Sequence, residues 1–330
     1  MQISLFYRKQ SPEYHSIEKI FDTVCDNFSD EISFKKIYTK HKSKGLINRL
    51  LICFNARKNQ SEINHITGDI HFIAPFLKKE QTILTIHDIG IIKSGFFIKR
   101  FIIKLFWFAI PFKKVKFVTV ISDFTKSEIL NNFKINSEKI IVIPNCIPDI
   151  YKYSEKSFDT EKPTILQIGT KKNKNLERLI EAISDINCKL IIIGKLSQTQ
   201  NALLSKNNIN FKVFFNISDE KLLKLYQNAD IISFISTYEG FGMPVIEANA
   251  VGRLVITSDI EPMKSIAKNS ALFVNPYNIK EIKSGIENLI NNSDLRNKLI
   301  NNGLNNAKKY SAKEIAAKYE TLYKSLIKND

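Results

Sequence analysis

Short apolar runs rich in β-branched residues alternate with amphipathic stretches along the chain. In the first half, the apolar runs predict strands over Ile3 to Tyr7, Phe34 to Tyr38, Ile83 to Ile86, Phe117 to Ile121 and Ile140 to Ile143. In the second half, longer runs near residues 164–168, 188–193, 210–215 and 229–235 predict buried parallel strands. Strands that alternate with helices predict an α/β chain whose parallel sheets bind ligands at their carboxyl edges.

A pair of carboxylates follows the last of these predicted strands. Glu239 lies on the strand-to-helix loop, and Glu247 lies about one turn inside the next helix, which Pro244 starts. Because a carboxylate accepts hydrogen bonds in pairs, Glu247 is a candidate for holding two ribose hydroxyls, and Glu239 for holding hydroxyls of a transferred sugar. The alternative is that both are solvated surface residues.

Two glycines lie between these carboxylates. Gly240, Phe241 and Gly242 lead into the helix, and the glycines allow the backbone to approach a ligand closely. The helix N-terminus behind them has unpaired N–H groups and the positive end of the helix dipole, which suits a phosphate. The segment as a whole therefore predicts a site for a sugar nucleotide.

A lysine-rich loop forms a second candidate site, after the strand near residues 164–168. Gly169 ends the strand, and Lys171, Lys172 and Lys174 precede an amphipathic helix. A lysine at this place can neutralise a diphosphate leaving group as its charge develops. The alternative, a solvated lysine cluster, weighs more for Lys171 and Lys172 than for Lys174.

These two motifs resemble those of the retaining glycosyltransferases with the GT-B fold, family 4 in particular, whose E-x7-E motif usually begins E-G-F-G. The resemblance implies an α/β GT-B fold, with two Rossmann-like parallel-sheet domains facing each other across a cleft. It implies that residues 1–155 and a C-terminal helix at about 311–330 form the acceptor-side domain. Residues 156–310 would then form the domain that binds the nucleotide-sugar donor.

The resemblance also implies roles for residues of the lysine loop. It maps the glycine and the lysine of the family onto Gly169 and Lys174, and gives Lys174 a catalytic role beside the departing diphosphate. Thr170 stands where many members have an arginine. This difference leaves open whether Lys171 or Lys172 supplies the second positive charge.

Further roles follow from the same resemblance. The nucleobase would lie near Gly194 and the turn of Asn216 and Ile217. His87 directly follows a predicted strand, and in this family a histidine in the T-x-H-D setting approaches the donor sugar, which implies a catalytic role for His87. The alternative is a histidine that is hydrogen-bonded within its own loop. Glu239 would orient the sugar and would not attack it.

The sequence predicts neither a metal nor another cofactor. His65 and His71 have no third and fourth ligand at a known spacing, and the chain contains no D-x-D motif. The four cysteines are scattered without C-x-x-C pairs, which indicates neither a disulfide framework nor zinc and fits a reducing compartment. Because the N-terminus reads directly as a strand and not as a signal peptide, we expect a cytoplasmic location.

The chain of 330 residues has a net charge of +16, which calls for a partner or a surface. No acidic residue occurs from Ile89 to Ser122, and on a helix Lys93, Arg100, Lys104 and Trp107 would share one face. Two interpretations stay open: contact with an anionic membrane through residues 91–116, or an ordinary domain helix with a basic solvent face. No stretch is long enough to span a bilayer, and no nucleic-acid-binding module accompanies the charge.

The sequence as a whole predicts a bacterial hexosyltransferase. It would move a sugar, with retention, from a nucleotide-sugar donor to a glycan or lipid-linked acceptor in cell-surface polysaccharide or lipopolysaccharide synthesis. Two alternatives are a GT-B sugar-nucleotide epimerase and a non-catalytic subunit that binds a membrane or a partner enzyme. The E-G-F-G form argues against the epimerase, and the intact set of Glu239, Glu247, Lys174 and His87 argues against the non-catalytic subunit.

Overall fold

The chain folds into two compact units. The computed structural model describes residues 1–10, 16–93 and 96–327. Unit 1 comprises Met1–Pro148 and Ala312–Asp330, and unit 2 comprises Asp149–Ser311. Each unit contains its own parallel sheet and its own hydrophobic core.

The sheet of unit 1 has six parallel strands in the order β2-β1-β3-β4-β5-β6. They are Gln2–Tyr7 (β1), Ser33–Tyr38 (β2), Ile63–Ile66 (β3), Thr82–Ile86 (β4), Phe117–Val120 (β5) and Ile140–Val142 (β6). The central strands β3 and β4 are buried along their whole length, whereas β2 at the sheet edge is only partly buried. Parallel strands covered on both faces usually read as apolar runs, which is why the sequence predicted β4 but not β3, whose buried residues include Asn64 and His65.

The helices of unit 1 follow the strands along the chain. They are Ser16–Cys25 (α1), Leu46–Lys58 (α2), Phe97–Ile103 (α3), Ile110–Lys113 (α4) and Asp123–Asn132 (α5). A π-helical stretch, Lys104–Ala109, joins α3 to α4. Ser122 starts α5, since its Oγ accepts a hydrogen bond from the backbone N–H of Thr125 at 3.1 Å.

The sheet of unit 2 also has six parallel strands, in the order β12-β11-β10-β7-β8-β9. They are Thr164–Ile168 (β7), Lys189–Ile193 (β8), Phe211–Phe214 (β9), Ile231–Phe234 (β10), Leu254–Ser258 (β11) and Leu272–Val274 (β12). The helices are Leu176–Ala182 (α6), Gln198–Lys206 (α7), Asp219–Asn228 (α8), Met243–Ala250 (α9), Met263–Ala267 (α10), Ile279–Asn291 (α11) and Ser293–Lys308 (α12). The predicted α/β class with two Rossmann-like parallel sheets is confirmed.

The last helix, Ala312–Ile327 (α13), packs on unit 1. Tyr323 of α13 is fully buried, and its hydroxyl lies 2.7 Å from Nδ1 of His65 on β3. The other ring nitrogen of His65 lies 2.7 Å from Oγ1 of Thr85 on β4. Burial lowers the pKa of His65 to about 3, so the imidazole is neutral and forms part of the core of unit 1.

His71, the second histidine that the sequence analysis considered as a metal ligand, is also buried. His71 bonds through Nδ1 to the backbone oxygen of Trp107 at 2.8 Å. Among the residues that the structure describes, no three His, Cys, Asp or Glu side chains are grouped so that they could hold a metal ion. Within the same residues, no helix has the length and apolar character needed to cross a bilayer.

The contact between α13 and β3 gives a stability prediction. Tyr323→Phe should lower the free energy of unfolding by about 1 to 3 kcal/mol, because it leaves a nitrogen of the buried His65 without its partner. Urea denaturation measures the change, and Tyr277→Phe is the control, since Tyr277 is 60% exposed. A loss for Tyr323→Phe no larger than that of the control would contradict this role for the hydrogen bond.

Candidate functional site

The order of the strands in unit 2 reverses at β7 and β10. These two strands are hydrogen-bonded neighbours, with Ile165 opposite Ile231 and Gln167 opposite Ser233. From β7 the chain builds outward through β8 and β9 on one side, and from β10 through β11 and β12 on the other. A reversal of this kind opens a crevice at the carboxyl ends of the two strands, where α/β sheets bind ligands.

The loops that leave β7 and β10 meet through an ion pair. Nζ of Lys174 donates to Oε1 of Glu239 at 2.6 Å, and the two side chains are 20% and 16% exposed. Nδ2 of Asn173 also donates to Oε1 of Glu239, at 3.2 Å, and to the backbone oxygen of Tyr238 at 3.0 Å. The structure therefore brings together two of the predicted catalytic residues, one from each sequence motif.

Gly169 and Gln167 fix the course of the lysine loop. Gly169 has a φ of +90°, and a Cβ at this position would lie 2.8 Å from Cγ of Lys174. The side chain of Lys174 thus passes directly over a residue that must be glycine. Nε2 of Gln167 holds the end of the loop by donating to the backbone oxygen of Lys174 at 2.9 Å.

The other lysines of this loop are more exposed. Lys171 and Lys172 both lie at the surface, so the position of the second charge stays open between them. Thr170 turns the other way, since its Oγ1 donates to the backbone oxygen of Lys195 at 2.7 Å. A Cβ on Gly194, whose φ is +140°, would lie 2.8 Å from Oγ1 and Cγ2 of Thr170. Thr170 and Gly194 are therefore neighbours, as their predicted donor-binding roles require.

The loop after β10 leads into the N-terminus of α9. Gly242 is the residue before the helix, with a φ of +137°, and Pro244 lies in the first turn. No side chain caps this helix, so its first amide groups are not satisfied by a capping residue. Phe241 is 4% exposed and packs edge-on against Tyr310, with ring centroids 5.8 Å apart. Phe241 thus anchors the loop, and a ligand would meet its backbone.

Glu247 lies inside α9 and contacts a buried tyrosine. The hydroxyl of Tyr226 donates to Oε2 of Glu247 at 2.6 Å, and the ring of Tyr226 packs edge-on against Tyr151. The pKa of Glu247 is raised to about 7 as the net result of three effects: burial raises it most, the hydrogen bond from Tyr226 lowers it, and the negative charge of Asp219 raises it. The carboxyl group is therefore partly protonated near neutral pH and would gain from hydroxyl donors on a ligand.

The predicted base-binding residues lie further from the crevice. Asn216 and Ile217 follow β9, the edge strand, and Asn216 has a left-handed φ of +54°. Because β8 separates β9 from β7, and neighbouring strands lie about 5 Å apart, these residues are offset from the lysine loop by about 10 Å. Their contact with a base stays a prediction.

His87 belongs to unit 1 and follows β4 there. Its Nε2 lies 2.9 Å from the backbone oxygen of Thr67, and because a carbonyl only accepts, Nε2 carries the hydrogen. Burial lowers the pKa of His87, the bond to Thr67 and the charges of Asp69 and Asp88 oppose that shift, and the ring is neutral. This partner follows β3, so the hydrogen bond lies outside the loop of His87 itself, and the catalytic role stays a prediction.

Comparisons with known proteins identify the family. A family model described as glycosyl transferases group 1 matches residues 151–306. The O-antigen chain mannosyltransferase RfbU of Salmonella typhimurium is 30% identical over 260 residues, which cover 73% of this chain and 67% of RfbU. The chain belongs to the group 1 glycosyl transferases. The family predicted from the two motifs, and its enzyme class, are confirmed.

Other relatives of this glycosyltransferase are more distant. One is the N,N'-diacetylbacillosaminyl-diphospho-undecaprenol alpha-1,3-N-acetylgalactosaminyltransferase of Campylobacter jejuni, which is 24% identical over 62% of this chain and 59% of its own length. Solved structures share the fold along almost the whole chain. A glycosyltransferase of Rickettsia africae covers 100% of this chain with a TM-score of 0.77 and 20% identity. Anabaena Alr3699/HepE, in complex with UDP and glucose, covers 98% with a TM-score of 0.81 and 12% identity.

Two residues of the site in unit 2, and one residue in unit 1, had no role in the sequence analysis. In the sequence Asn173 stands between lysines, and Tyr226 stands among the apolar residues of α8. Arg8 follows β1 and forms ion pairs with Glu18 at 2.9 Å and with Asp69 at 3.0 Å. For Tyr226 a usable signal was a hydroxyl at a buried helical position, since a buried tyrosine hydroxyl usually needs a partner.

The pKa of Glu247 gives a prediction of pH-dependent stability. Its folded pKa of about 7 lies above the ordinary value of 4.5, so the folded chain binds more protons than the unfolded chain between these values. Stability is therefore lost as the pH rises through this range. From about pH 5 to about pH 8, the free energy of unfolding should fall by about 1 to 3 kcal/mol more in the wild type than in Glu247→Gln.

Urea denaturation at several pH values measures this difference. The control is Glu220→Gln, which removes an exposed carboxylate from the same unit. If the wild type and Glu247→Gln lose stability in parallel, the carboxyl group is not the one that titrates in this range.

Proposed function

We propose that this glycosyltransferase moves a sugar from a nucleotide-sugar donor to a glycan or lipid-linked acceptor, with retention of the anomeric configuration. The observation that carries the proposal is the ion pair between Lys174 and Glu239 at the carboxyl ends of β7 and β10. It places a cation for a phosphate and a carboxylate for sugar hydroxyls at the place where the sheet order reverses.

The diphosphate of the donor would replace one partner of this pair. Lys174 would turn from Glu239 to the diphosphate, and the amides at the start of α9 would add hydrogen bonds and the positive end of the helix dipole. Glu239, released from Lys174, would accept hydroxyls of the sugar. The complex of Anabaena HepE with UDP and glucose supports a nucleoside diphosphate as the class of ligand.

The nucleoside would lie between α9 and the edge of the sheet. Glu247 would bind the two ribose hydroxyls, and Tyr226 would hold the carboxylate in place from the other side. Gly194 and the turn of Asn216 and Ile217 would then border the base, at about the offset that a nucleoside requires.

In the reaction, the bond from the anomeric carbon to the phosphate oxygen breaks, and a bond from an acceptor hydroxyl forms on the same face. The hydroxyl proton goes to the departing phosphate oxygen, and a nucleoside diphosphate leaves. Lys174 and the α9 amides offset the charge that develops on this leaving group, so we propose a reaction without a metal ion. Glu239 orients the sugar throughout.

The names of the relatives support a biosynthetic pathway for the reaction. RfbU is an O-antigen chain mannosyltransferase, CapM of Staphylococcus aureus is a capsular polysaccharide biosynthesis glycosyltransferase, and the name of the Campylobacter enzyme contains a diphospho-undecaprenol acceptor. By analogy, we propose a role in cell-surface polysaccharide or lipopolysaccharide synthesis. The protein would work in the cytoplasm, in peripheral contact with the inner face of the membrane through residues 91–116.

Donor binding tests the proposal first. UDP-, GDP-, ADP- and CMP-sugars are screened against the protein by thermal shift, and the best is measured by calorimetry. Lys174→Ala should weaken its binding by about tenfold or more, because a charge-assisted bond to phosphate is lost. Lys206→Ala, which removes an exposed lysine at the end of α7, is the control. The donor site is wrong if no nucleotide sugar binds, or if Lys174→Ala binds as the wild type does.

His87 gives a separate kinetic prediction. Since His87 lies in unit 1 and the donor contacts proposed above lie in unit 2, His87→Ala should lower kcat by about a hundredfold, with little change in the donor Kd. His87→Gln can keep a donor near the position of Nε2 for the backbone oxygen of Thr67 but lacks the imidazole. Full activity of His87→Gln would show that the histidine only supports this hydrogen bond. The anomeric configuration of the product, read by NMR, tests retention independently.

A further inference from the structure

Exposed hydrophobic side chains are concentrated in two parts of unit 1. Of the nineteen large hydrophobic side chains that are exposed among the described residues, twelve lie on α2 or between residues 91 and 106. Those of α2 are Leu46, Ile47, Leu50, Leu51 and Phe54, and those of the second group are Ile91, Phe96, Phe97, Ile98, Phe101, Ile102 and Phe106. Contiguous exposure on this scale usually marks a surface that meets a partner or a membrane.

Helix α2 is apolar on both sides. Ile52, Cys53 and Ala56 face the core of unit 1 and are at most 3% exposed. The five exposed side chains recur at the spacing of one helical stripe on the opposite side, where Leu46 is 73% and Ile47 is 75% exposed. A helix on the surface of a soluble domain normally has polar side chains there, so the outer stripe of α2 lacks its partner.

The segment around α3 has the same character. Phe96 is 89%, Phe97 80% and Ile98 73% exposed. Lys99 and Arg100 are also exposed, and Nε of Arg100 donates to the backbone oxygen of Ile92 at 2.9 Å. The solvent face of α3 is therefore mainly apolar, with two cationic side chains among the exposed phenylalanines and isoleucines.

The two apolar segments flank one contact. The guanidinium of Arg49, on α2, lies 4.6 Å from the ring centroid of Trp107 in the π-helical stretch and 6.0 Å from that of Phe72. Arg49 is itself only partly exposed. Because this contact joins α2 to the segment that continues α3, the two exposed stripes lie on neighbouring elements of unit 1.

The charged residues of the two segments that carry these stripes are all basic, although Lys36 and Lys116 pair with Asp22 and Glu80 from outside them. Residues 32–61 and 89–122 contain no acidic residue, although they are the two segments that carry the exposed apolar groups. Their cationic residues are Lys35, Lys36, Lys40, Lys42, Lys44, Arg49, Arg57, Lys58, Lys93, Lys99, Arg100, Lys104, Lys113, Lys114 and Lys116. A partner that fits this surface is both apolar and anionic.

A small cavity beside α2 is lined by both cationic and apolar side chains. Its volume is ≈ 260 Å³, and it lies between α2 and the loop that follows β2. Lys40, His41 and Lys58 line it together with Leu51 and Phe54, which also belong to the exposed stripe of α2. The cavity can therefore take an anionic head group while the attached chain lies along the apolar stripe.

We propose that α2 and the α3 segment seat unit 1 on an anionic lipid bilayer, with a lipid phosphate in the cavity of Lys40, His41 and Lys58. This deepens the membrane contact proposed above, since it adds α2 and a head-group site and replaces the basic helix face with an apolar one. The apolar side chains enter the boundary of head groups and acyl chains, and the lysines meet lipid phosphates around them.

A bilayer fits this surface better than a second copy of the chain. In a two-fold dimer each copy presents the same patch to the other, so the cationic residues would face one another without any carboxylate in either segment. A bilayer supplies phosphates and hydrocarbon together. The most exposed side chains, at the starts of α2 and α3, also project outward, which suits insertion better than the filling of a groove.

Vesicle binding by the full-length protein tests the proposal. The wild type should sediment with vesicles of equimolar phosphatidylcholine and phosphatidylglycerol, and only weakly with phosphatidylcholine alone. The α2 variant Leu46→Ser/Ile47→Ser and the α3 variant Phe96→Ser/Phe97→Ser should each lower the partition coefficient by about tenfold or more. Val213→Ser/Phe215→Ser is the matched control, because it removes two exposed apolar side chains from unit 2.

A second arm tests the cavity. Lys40→Gln/His41→Gln/Lys58→Gln should weaken binding to the mixed vesicles by about tenfold, and inorganic diphosphate should not compete with the vesicles at equal phosphate concentration. If inorganic diphosphate binds the wild type without vesicles and this variant loses it, the cavity is a site for a soluble anion, and its lipid role is wrong.

Three further outcomes would overturn the proposal. The first is that the wild type does not bind anionic vesicles, and the second is that the α2 variant binds them as tightly as the wild type does. The third is that the wild type is a dimer in solution and the same serine variants are monomers. Donor binding is measured in every variant as a separate readout. Nucleotide-sugar binding without vesicle binding refutes only the membrane contact, whereas vesicle binding without nucleotide-sugar binding refutes only the proposed transfer.

Discussion

The ion pair between Lys174 and Glu239 is the interaction on which the site depends. It joins two loops that leave neighbouring strands at the reversal of sheet order, so each loop fixes the position of the other. Gly169 makes it possible, because a Cβ there would collide with the side chain of Lys174. Asn173 strengthens it by donating to both the backbone and the carboxylate of the opposite loop. A ligand with both phosphate and hydroxyls would give each charge a new partner, the phosphate for Lys174 and the hydroxyls for Glu239, so neither charge would be left unpaired.

Glu247 has an environment different from that of Glu239, because its carboxyl group is buried and has no cationic partner in the motif. Its burial disfavours the charged form, and the hydrogen bond from Tyr226 only partly offsets this, so the pKa of the carboxyl group is raised to about 7. Hydroxyl donors from a ligand would complete its hydrogen bonding and favour the ionised form. Glu239 needs no such arrangement because Lys174 already neutralises it. The two carboxylates of the motif thus have different partners: Glu239 pairs with the cation of Lys174, and Glu247 accepts a hydrogen bond from the phenol of Tyr226.

How far the sequence predicts this structure differs between the units. Four strands of unit 2, β7 to β10, and the positions of Gly169, Lys174 and Glu239 follow from strand patterns and from a motif rich in glycine, whereas β11 and β12 were not predicted. The partners Asn173 and Tyr226 do not, because an asparagine among lysines and a tyrosine on a helix have the same local pattern whether or not they touch a carboxylate. In unit 1, the helical wheel of residues 93–107 is not realised, since α3 begins only at Phe97, the chain is π-helical from Lys104, and Trp107 receives Arg49 from another helix. Tertiary contacts of this kind are invisible to the spacing of residues within one segment.

The exposed surface of unit 1 presents a physical conflict unless a partner is included. Large apolar side chains on the outside of α2 and α3 favour self-association, yet the charged residues of their own segments are all basic, and the whole chain carries +16, which opposes it. An apolar surface that served only folding would be covered by its own chain, and a basic surface that served only solubility would not need phenylalanines at the starts of helices. An anionic bilayer resolves both requirements at once, because it is the one abundant cellular surface that offers hydrocarbon directly beneath phosphate. A transferase held there would meet lipid-linked acceptors in two dimensions, while its donor reached unit 2 from solution.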